Sequence, residues 1–481
     1  MAEELLWSQH GQPFHSRRIP EASVRLSRSI ALCAAALLTS ALTGPAAAAG
    51  GDRCDRQERV RVPGAALQRS ACLDDLTTSG LAGTPYTDLA DQAGLTARET
   101  RNPSGVAGLQ IDGYFPDDSS TNTTHGWRHD AQFVIRLPDR WNGGLVVTGA
   151  PGTRKQYATD TAISDRVLAQ GYAYAATDKG NSGPDFYRDG TRPGDAVAEW
   201  NRRTTQLTLA AKRVVAERYG RAPRRTYMTG ISNGGYLTRW QLEHHPELYD
   251  GGVDWEGALW TVEGPGLLTS LPVAVARILG SARDEDLYAA GYPRGSEFLW
   301  PYHERAYWGV TQKIYRAEFD PSYDAACPGP SAGSTAEQIL APCPSDAAYD
   351  YAARPASVRR AVARVALTGR IGRPLITLHG DLDVLLPKAT DSDVYARMVR
   401  ESGRGPLHRF YTVQGGTHVD GLYDSFPDRL RPILPCYRAA FDALTAWVER
   451  GERPPADRTV GRPAGGDVVD SCALAGQAAD R

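Results

Sequence analysis

The pentapeptide Gly230-Ile231-Ser232-Asn233-Gly234 constrains this chain more than any other stretch. A Gly-x-Ser-x-Gly run of this kind forms a tight turn between a strand and a helix, with the serine hydroxyl projecting from the turn. The glycines let neighbouring backbone pass without a Cβ clash. The flanks fit that geometry. Arg225-Thr226-Tyr227-Met228-Thr229 is rich in β-branched and aromatic residues and reads as a strand. From Gly235 onward, Tyr236, Leu237, Trp240 and Leu242 recur with helical spacing as far as Pro246. A chain with 49 Gly also matches the pattern by chance, and it does so at Gly329-Pro330-Ser331-Ala332-Gly333. No strand precedes that second match and Pro330 lies inside the turn, which marks a loop.

Strand and helix signals alternate around the first match. Residues 132–137, 144–148 and 172–176 read as strands, and 163–170 and 205–219 as helices. Residues 251–255, 374–378 and 408–413 continue the strand series, with helices at 389–399 and 437–448. Strands separated by helices of this length predict an α/β fold: a mostly parallel sheet with helices on both faces. Residues 257–370 break the alternation and carry Trp260, Trp300, Tyr302, Tyr307, Trp308 and Tyr315. An insertion there is expected to form a lid over the catalytic end of the sheet. The expected organisation is a signal segment at 1–49, an N-terminal extension at 50–100 and a first core half at 101–256. The lid at 257–370, a second core half at 371–450 and a tail at 451–481 complete it.

A formal net charge of −2 gives no electrostatic footprint for nucleic acid. Arg25 and Arg28 precede an apolar run over 30–42 that ends in Pro45 and small residues through Ala49. This is the pattern of a cleavable secretion signal, and the run is shorter than the roughly 20 residues a bilayer span needs. A secreted protein without a stable membrane anchor is expected. Outside that segment the cysteines are Cys54, Cys72, Cys327, Cys343, Cys436 and Cys472. An even set in an oxidising compartment predicts disulfides. Neighbour pairing, 54–72, 327–343 and 436–472, is the simplest of the 15 arrangements six cysteines allow. No spacing among Cys, His, Asp and Glu predicts a metal site, and the chemistry below needs no cofactor.

Ser232 stays protonated at neutral pH and needs a base. In this strand–turn–helix context the nucleophile comes first in the chain, the acid second and the histidine last. His418 follows the strand at 408–413, in Gln414-Gly415-Gly416-Thr417-His418, and is the expected base. The acid is expected after the preceding strand, in His379-Gly380-Asp381-Leu382-Asp383. Asp383 is favoured, with Asp381 as its neighbour and Asp254 and Glu256 as further carboxylates. The acid holds the imidazole tautomer and stabilises the imidazolium. An oxyanion hole needs two backbone N–H groups: that of Asn233, after the serine, and one from Gly149-Ala150-Pro151-Gly152. Ala150 is the expected second donor, because Pro151 has no N–H.

Together these residues resemble the α/β-hydrolase superfamily over about 128–450, less the lid. Within it, four features resemble secreted bacterial esterases of the tannase and feruloyl esterase group. They are Thr177-Asp178-Lys179-Gly180 after a strand, the Ser232-Asn233-Gly234-Gly235 elbow, the large lid and the Gly416-Thr417-His418 turn. That resemblance implies hydrolysis of aromatic carboxylic esters. Better-known members carry a disulfide between cysteines just before the nucleophile and just after the histidine; here those positions are Ile231 and Val419. The elbow also resembles hydroxybutyrate-oligomer hydrolases. A peptidase on the same fold and a non-catalytic binding protein are the readings from other classes.

Overall fold

The computed structural model describes residues 60–463 and 468–475. The segment read as a secretion signal, and Cys54, lie outside the described residues. Ten strands form one mixed sheet in the order β1-β2-β3-β5-β4-β6-β7-β8-β9-β10. They are β1 Leu67–Leu73, β2 Gly108–Tyr114, β3 Gln132–Pro138, β4 Gly144–Gly149, β5 Ala173–Thr177, β6 Arg225–Ile231, β7 Gly251–Trp255, β8 Leu375–Gly380, β9 His408–Val413 and β10 Arg458–Val460. From β5 to β10 every neighbouring pair is parallel. The pairs β1–β2, β2–β3 and β3–β5 are antiparallel. This is the α/β-hydrolase arrangement, a mostly parallel sheet with helices on both faces.

The period-two side-chain direction of a strand sorts the core into two layers. On β4, Leu145 and Val147 join the apolar cluster on one face, and Val146 joins the cluster on the other. Helices α1 Asp165–Ala169 and α8 Leu434–Arg450 cover the Val146 face. Helices α2 Asp195–Tyr219, α3 Asn233–His244 and α7 Ser392–Glu401 cover the opposite one. Helix α2 begins ten residues earlier than its polar N-terminal half predicts. Ala196, Val197, Trp200 and Thr204 of that half are buried, and Glu199 pairs with Arg203 at 2.7 Å.

Within the stretch read as an N-terminal extension, β1 pairs with β2 over seven residues. Within the tail, β10 extends the parallel sheet beside β9. The segment between β7 and β8 is helical, with α4 Leu267–Ile278, α5 Trp300–Ala306 and α6 Trp308–Phe319. It is bound to the sheet by specific contacts. The Trp308 indole donates to the Val384 carbonyl at 2.8 Å, next to Asp383.

Disulfides join Cys327 to Cys343 and Cys436 to Cys472, and Cys72 is also disulfide-bonded. The second of these ties the C-terminal tail to α8. Among the described residues no helix is long and apolar enough to cross a membrane.

Candidate active site

Ser232 stands between β6 and α3 with φ 58° and ψ −117°, a strained backbone for a residue with a side chain. Its surroundings enforce it. The Ser232 N–H donates to the Trp255 carbonyl on β7 at 2.9 Å, and the Ser232 carbonyl accepts from Tyr236 at 2.9 Å. A Cβ on Gly230 would meet Gly234 backbone at 2.4 Å, so the turn closes only around glycine. Ser331, the serine of the second pentapeptide, lies in an exposed loop where its N–H donates to Ser334 Oγ at 2.9 Å.

The loops after β8 and β9 meet beside this turn. The Leu382 N–H donates to the Gly416 carbonyl at 2.9 Å, and Asp381 N–H to the Val413 carbonyl at 3.1 Å. A Cβ on Gly380 would lie 2.3 Å from Gly416 backbone, so a side chain there would push the loops apart. Asp420 anchors the second loop by accepting from Ile433 and Leu434 at 2.6 and 2.9 Å, at the start of α8.

This stitching brings Nδ1 of His418 to 2.8 Å from Oδ2 of Asp383. The other oxygen of Asp383 accepts from Leu385 and Leu386 N–H at 2.7 and 3.0 Å. Burial alone would raise the Asp383 carboxyl. The charge of His418 and hydrogen bonds from His379 and His418 outweigh burial and hold it far below the usual carboxylate range. Burial alone would lower His418, and the charge and hydrogen bond of Asp383, followed by Glu256, hold the imidazole above its usual range. His379 lies behind Asp383. Its Nε2 is 2.9 Å from the Leu386 carbonyl, which can only accept, so Nε2 carries a proton, and that nitrogen faces Asp383 at 3.4 Å.

The other candidate carboxylates separate. Asp381 is half-buried, accepts from the Gly415 N–H at 2.7 Å and shapes the loop. Asp254 is engaged by Arg239 at 2.6 Å, and the same buried guanidinium reaches Asp391 at 2.9 Å and Ser392 at 2.7 Å. Glu256, a less favoured candidate from its place after β7, lies 3.3 Å from His418 Nδ1. Burial, then the charge of Asp383, push its carboxyl up to about 7. The ligand-type atoms of Glu256, Asp383 and His418 lie within 4.8 Å of one another, a spacing that would also suit a cation.

Ser232 and His418 line one cavity. Asn233 lines it as well, at the start of α3, where the first N–H groups of a helix have no intrahelical acceptor. The expectation for Ala150 does not hold. Its N–H donates to the Thr177 carbonyl at 3.0 Å, because the parallel β4–β5 ladder runs one residue further than the strand's apolar pattern indicates. Gly152 lines the cavity in its place, and its carbonyl accepts from Asn233 Nδ2 at 3.0 Å. Asn233 Nδ2 also donates to the Tyr315 hydroxyl at 2.8 Å, joining the elbow to the inserted helices.

The inserted helices supply Ala306, Tyr307, Val310, Thr311, Ile314 and Tyr315 to the cavity wall, one face of α6 with its lead-in. Trp260, Trp300 and Trp308 are instead buried in the core. Among the described residues lining the cavity none is Asp, Glu, Lys or Arg. Ile231 and Val419 belong to the same buried apolar cluster.

Residues 119–256 match the family model described as tannase and feruloyl esterase. The mono(2-hydroxyethyl) terephthalate hydrolase of Piscinibacter sakaiensis is 30% identical over 139 residues, covering 26% of this chain and 23% of that protein. The chain therefore matches about a quarter of the length of that relative. Feruloyl esterase B from Aspergillus oryzae superposes with a TM-score of 0.48 at 14% identity, covering 84% of this chain and 91% of that one. Tannin acyl hydrolase from Aspergillus niger gives 0.47 at 15% identity, covering 80% and 83%. The chain has the α/β-hydrolase fold, and its segment 119–256, which includes the Ser232 elbow, is similar to the tannase and feruloyl esterase family.

Proposed function

We propose that the protein is a secreted serine hydrolase of carboxylic esters. The observation that carries this reading is that Ser232 and His418 share one cavity while a buried carboxylate, Asp383, lies 2.8 Å from His418 Nδ1. Ser232 Oγ attacks the ester carbonyl carbon as His418 Nε2 takes the hydroxyl proton. The tetrahedral intermediate collapses, the C–O bond to the alcohol breaks, and His418 returns the proton to the departing oxygen. Asp383 accepts from Nδ1–H throughout, which fixes the tautomer and stabilises the imidazolium. The N–H groups of Asn233 and Gly152 hold the oxyanion, and Gly152 is oriented by the bond from Asn233 Nδ2 to its carbonyl. Water repeats the sequence on the acyl-enzyme and releases the acid.

Apart from His418 the cavity wall, among the described residues, carries no ionisable side chain of the Asp, Glu, Lys or Arg kind, which favours neutral esters with an aromatic or aliphatic acyl group. The Piscinibacter sakaiensis relative is named for a terephthalate monoester, which bears a free carboxylate; here such a group would meet no Lys or Arg among the described residues of the wall. The test is a hydrolysis panel with Ser232→Ala as the blank. It contains gallate, ferulate, short aliphatic and hydroxybutyrate esters, a terephthalate monoester and diester, and peptide amides. Turnover of neutral esters ahead of the monoester and the amides is expected. Preferential amide cleavage, or equal rates with the blank, overturns the reading. Secretion is supported by the disulfides and by the apolar segment at 30–42. N-terminal sequencing of exported protein tests it, and a mature chain beginning before Arg25 would refute the signal.

A further inference from the structure

Glu256 follows β7 with φ 49°, in the left-handed region that a residue with a long side chain adopts only when its surroundings require it. Two bonds hold it there. Its N–H donates to the Leu378 carbonyl at 2.9 Å, and its Oε1 accepts from the Gly380 N–H at 2.5 Å. The side chain is therefore clamped to the end of β8, with no solvent exposure. Oε2 makes no hydrogen bond of good geometry and faces Nδ1 of His418 at 3.3 Å. A buried carboxylate oxygen without a partner is costly and calls for a reason. Arg239, the buried cation that engages Asp254 two residues earlier in the chain, is committed to Asp254, Asp391 and Ser392. His418 lies within ion-pair distance of Glu256, and the charge of His379 also acts on it.

We propose that Glu256 is a positioning residue: a second acceptor for the Nδ1–H of His418, sharing the imidazole with Asp383 and orienting it when Asp383 is neutralised. The proposal rests on the reading of His418 as the base for Ser232. In its neutral, reactive form His418 takes the serine proton and becomes the imidazolium that the neighbouring carboxylates favour, and its Nδ1–H then lies between two carboxyl groups held by separate strands. An oxygen poorly bonded in the resting enzyme gains its partner as the positive charge forms, so the interaction is stronger in the transition state than before it. The titratable groups facing Glu256 are Asp383 and His379 from the β8 side, and His418 and Asp420 from the loop after β9. Burial and the charge of Asp383 favour its protonated form, so it acts as an acceptor once that proton leaves.

The experiment compares Asp383→Asn, Glu256→Gln and the double variant on one neutral ester. Rates are normalised to folded enzyme by circular dichroism and by fluorophosphonate titration of Ser232. Asp383→Asn keeps an oxygen for the Leu385 and Leu386 amides, and Glu256→Gln keeps one for Gly380. Loss of the acid in a triad without a second carboxylate lowers kcat about 10⁴-fold. Here Asp383→Asn is expected to be roughly 10- to 100-fold milder than that, the worth of one charge-assisted hydrogen bond, and the double variant to lose the difference. The residual kcat of Asp383→Asn should rise with pH through an ionisation absent from the double variant, with KM unchanged. A double variant as active as Asp383→Asn, or identical pH profiles for the two, overturns the proposal. A readout independent of turnover is the low-field proton resonance of His418 Nδ1. It should persist in Asp383→Asn above neutral pH and vanish in the double variant; loss in Asp383→Asn alone overturns the proposal. If the wild type hydrolyses no ester on the panel, the reading of the site fails, while the resonance still decides whether Glu256 is the second acceptor.

Discussion

Nδ1 of His418 lies 2.8 Å from Oδ2 of Asp383, and the other oxygen of that carboxylate is held by two consecutive backbone amides, those of Leu385 and Leu386. Asp381, two residues earlier, spends its carboxylate on the Gly415 amide. The two aspartates therefore differ in what they can do. Ser232→Ala or His418→Ala should lower kcat about 10⁶-fold by comparison with characterised serine hydrolases. Asp383→Asn should cost on the order of 10²- to 10³-fold, given the second carboxylate. Asp381→Asn, whose amide oxygen still accepts from Gly415, should stay within about threefold. Steady-state kinetics on a neutral ester decide this, and a crippling Asp381→Asn beside a mild Asp383→Asn would reassign the acid.

The carboxamide of Asn233 joins the elbow to the inserted helices through Tyr315 at 2.8 Å and to the loop after β4 through Gly152 at 3.0 Å. Tyr315→Phe keeps the ring in the cavity wall and removes the hydroxyl. A buried hydrogen bond of this kind is worth about 1 kcal/mol net, so kcat/KM should fall roughly fivefold. Unchanged kcat/KM would show that the contact does not position the elbow.

Arg239 is fully buried on α3 and bridges Asp254 and Asp391. Removing one partner from a buried charge cluster leaves the others uncompensated. Arg239→Ala should therefore destabilise the fold by about 3–5 kcal/mol. Urea unfolding measures this, and a loss below about 1 kcal/mol would mean that water repairs the cluster.

The Cys436–Cys472 bridge closes a loop of 36 residues outside the cavity. Chain-entropy estimates for a loop of this length give about 3–4 kcal/mol. The double variant Cys436→Ala, Cys472→Ala should lower Tm while leaving kcat/KM unchanged. A fall in kcat/KM at a temperature where the variant is folded would show that the tail supports the site.

Burial pushes the carboxyls of Asp165, Asp178, Glu256 and Asp420 up to about 7. Between its unfolded and folded values, each binds a proton in the folded state and releases it on unfolding. The stability each contributes is present below its unfolded pKa and lost as pH rises through about 7. Buried His303 and His408, pushed down to about 4 and 3, act in the opposite sense, but only below the ordinary histidine value of 6.5. Above that value the carboxyls act unopposed by these histidines, so Tm should decline from pH 6.5 until they are ionised, a little above pH 7. Thermal melts across that interval check the sign, and a rising Tm would contradict the buried protonated carboxyls.

Local chemistry made part of this protein legible in its sequence. The glycines around Ser232, the strand before it and the helix after it carry their own signals, because a turn with no room for Cβ and a change of hydrophobic period are short-range constraints. Strands β7 and β9 were bounded correctly at 251–255 and 408–413 by the same means. Strand β2 was missed although Leu109 and Ile111 alternate with Gln110 and Asp112. Its polar residues are buried against Arg136 and Tyr157, and that pairing exists only once β3 and the segment after β4 are in place. The strand pattern alone leaves the Ala150 amide free, because the reach of the β4–β5 ladder is a property of two strands and is not written in either one. Glu256 shows the same limit. Sequence placed it after a strand, but its contact with His418 depends on β7, β8 and β9 lying side by side with their loops stitched together. Turn chemistry and chain order were thus determined by the sequence itself. Which amides stay free and which carboxylates reach the imidazole was decided by strand register and close packing, because hydrogen bonds act over about 3 Å between residues far apart in the chain.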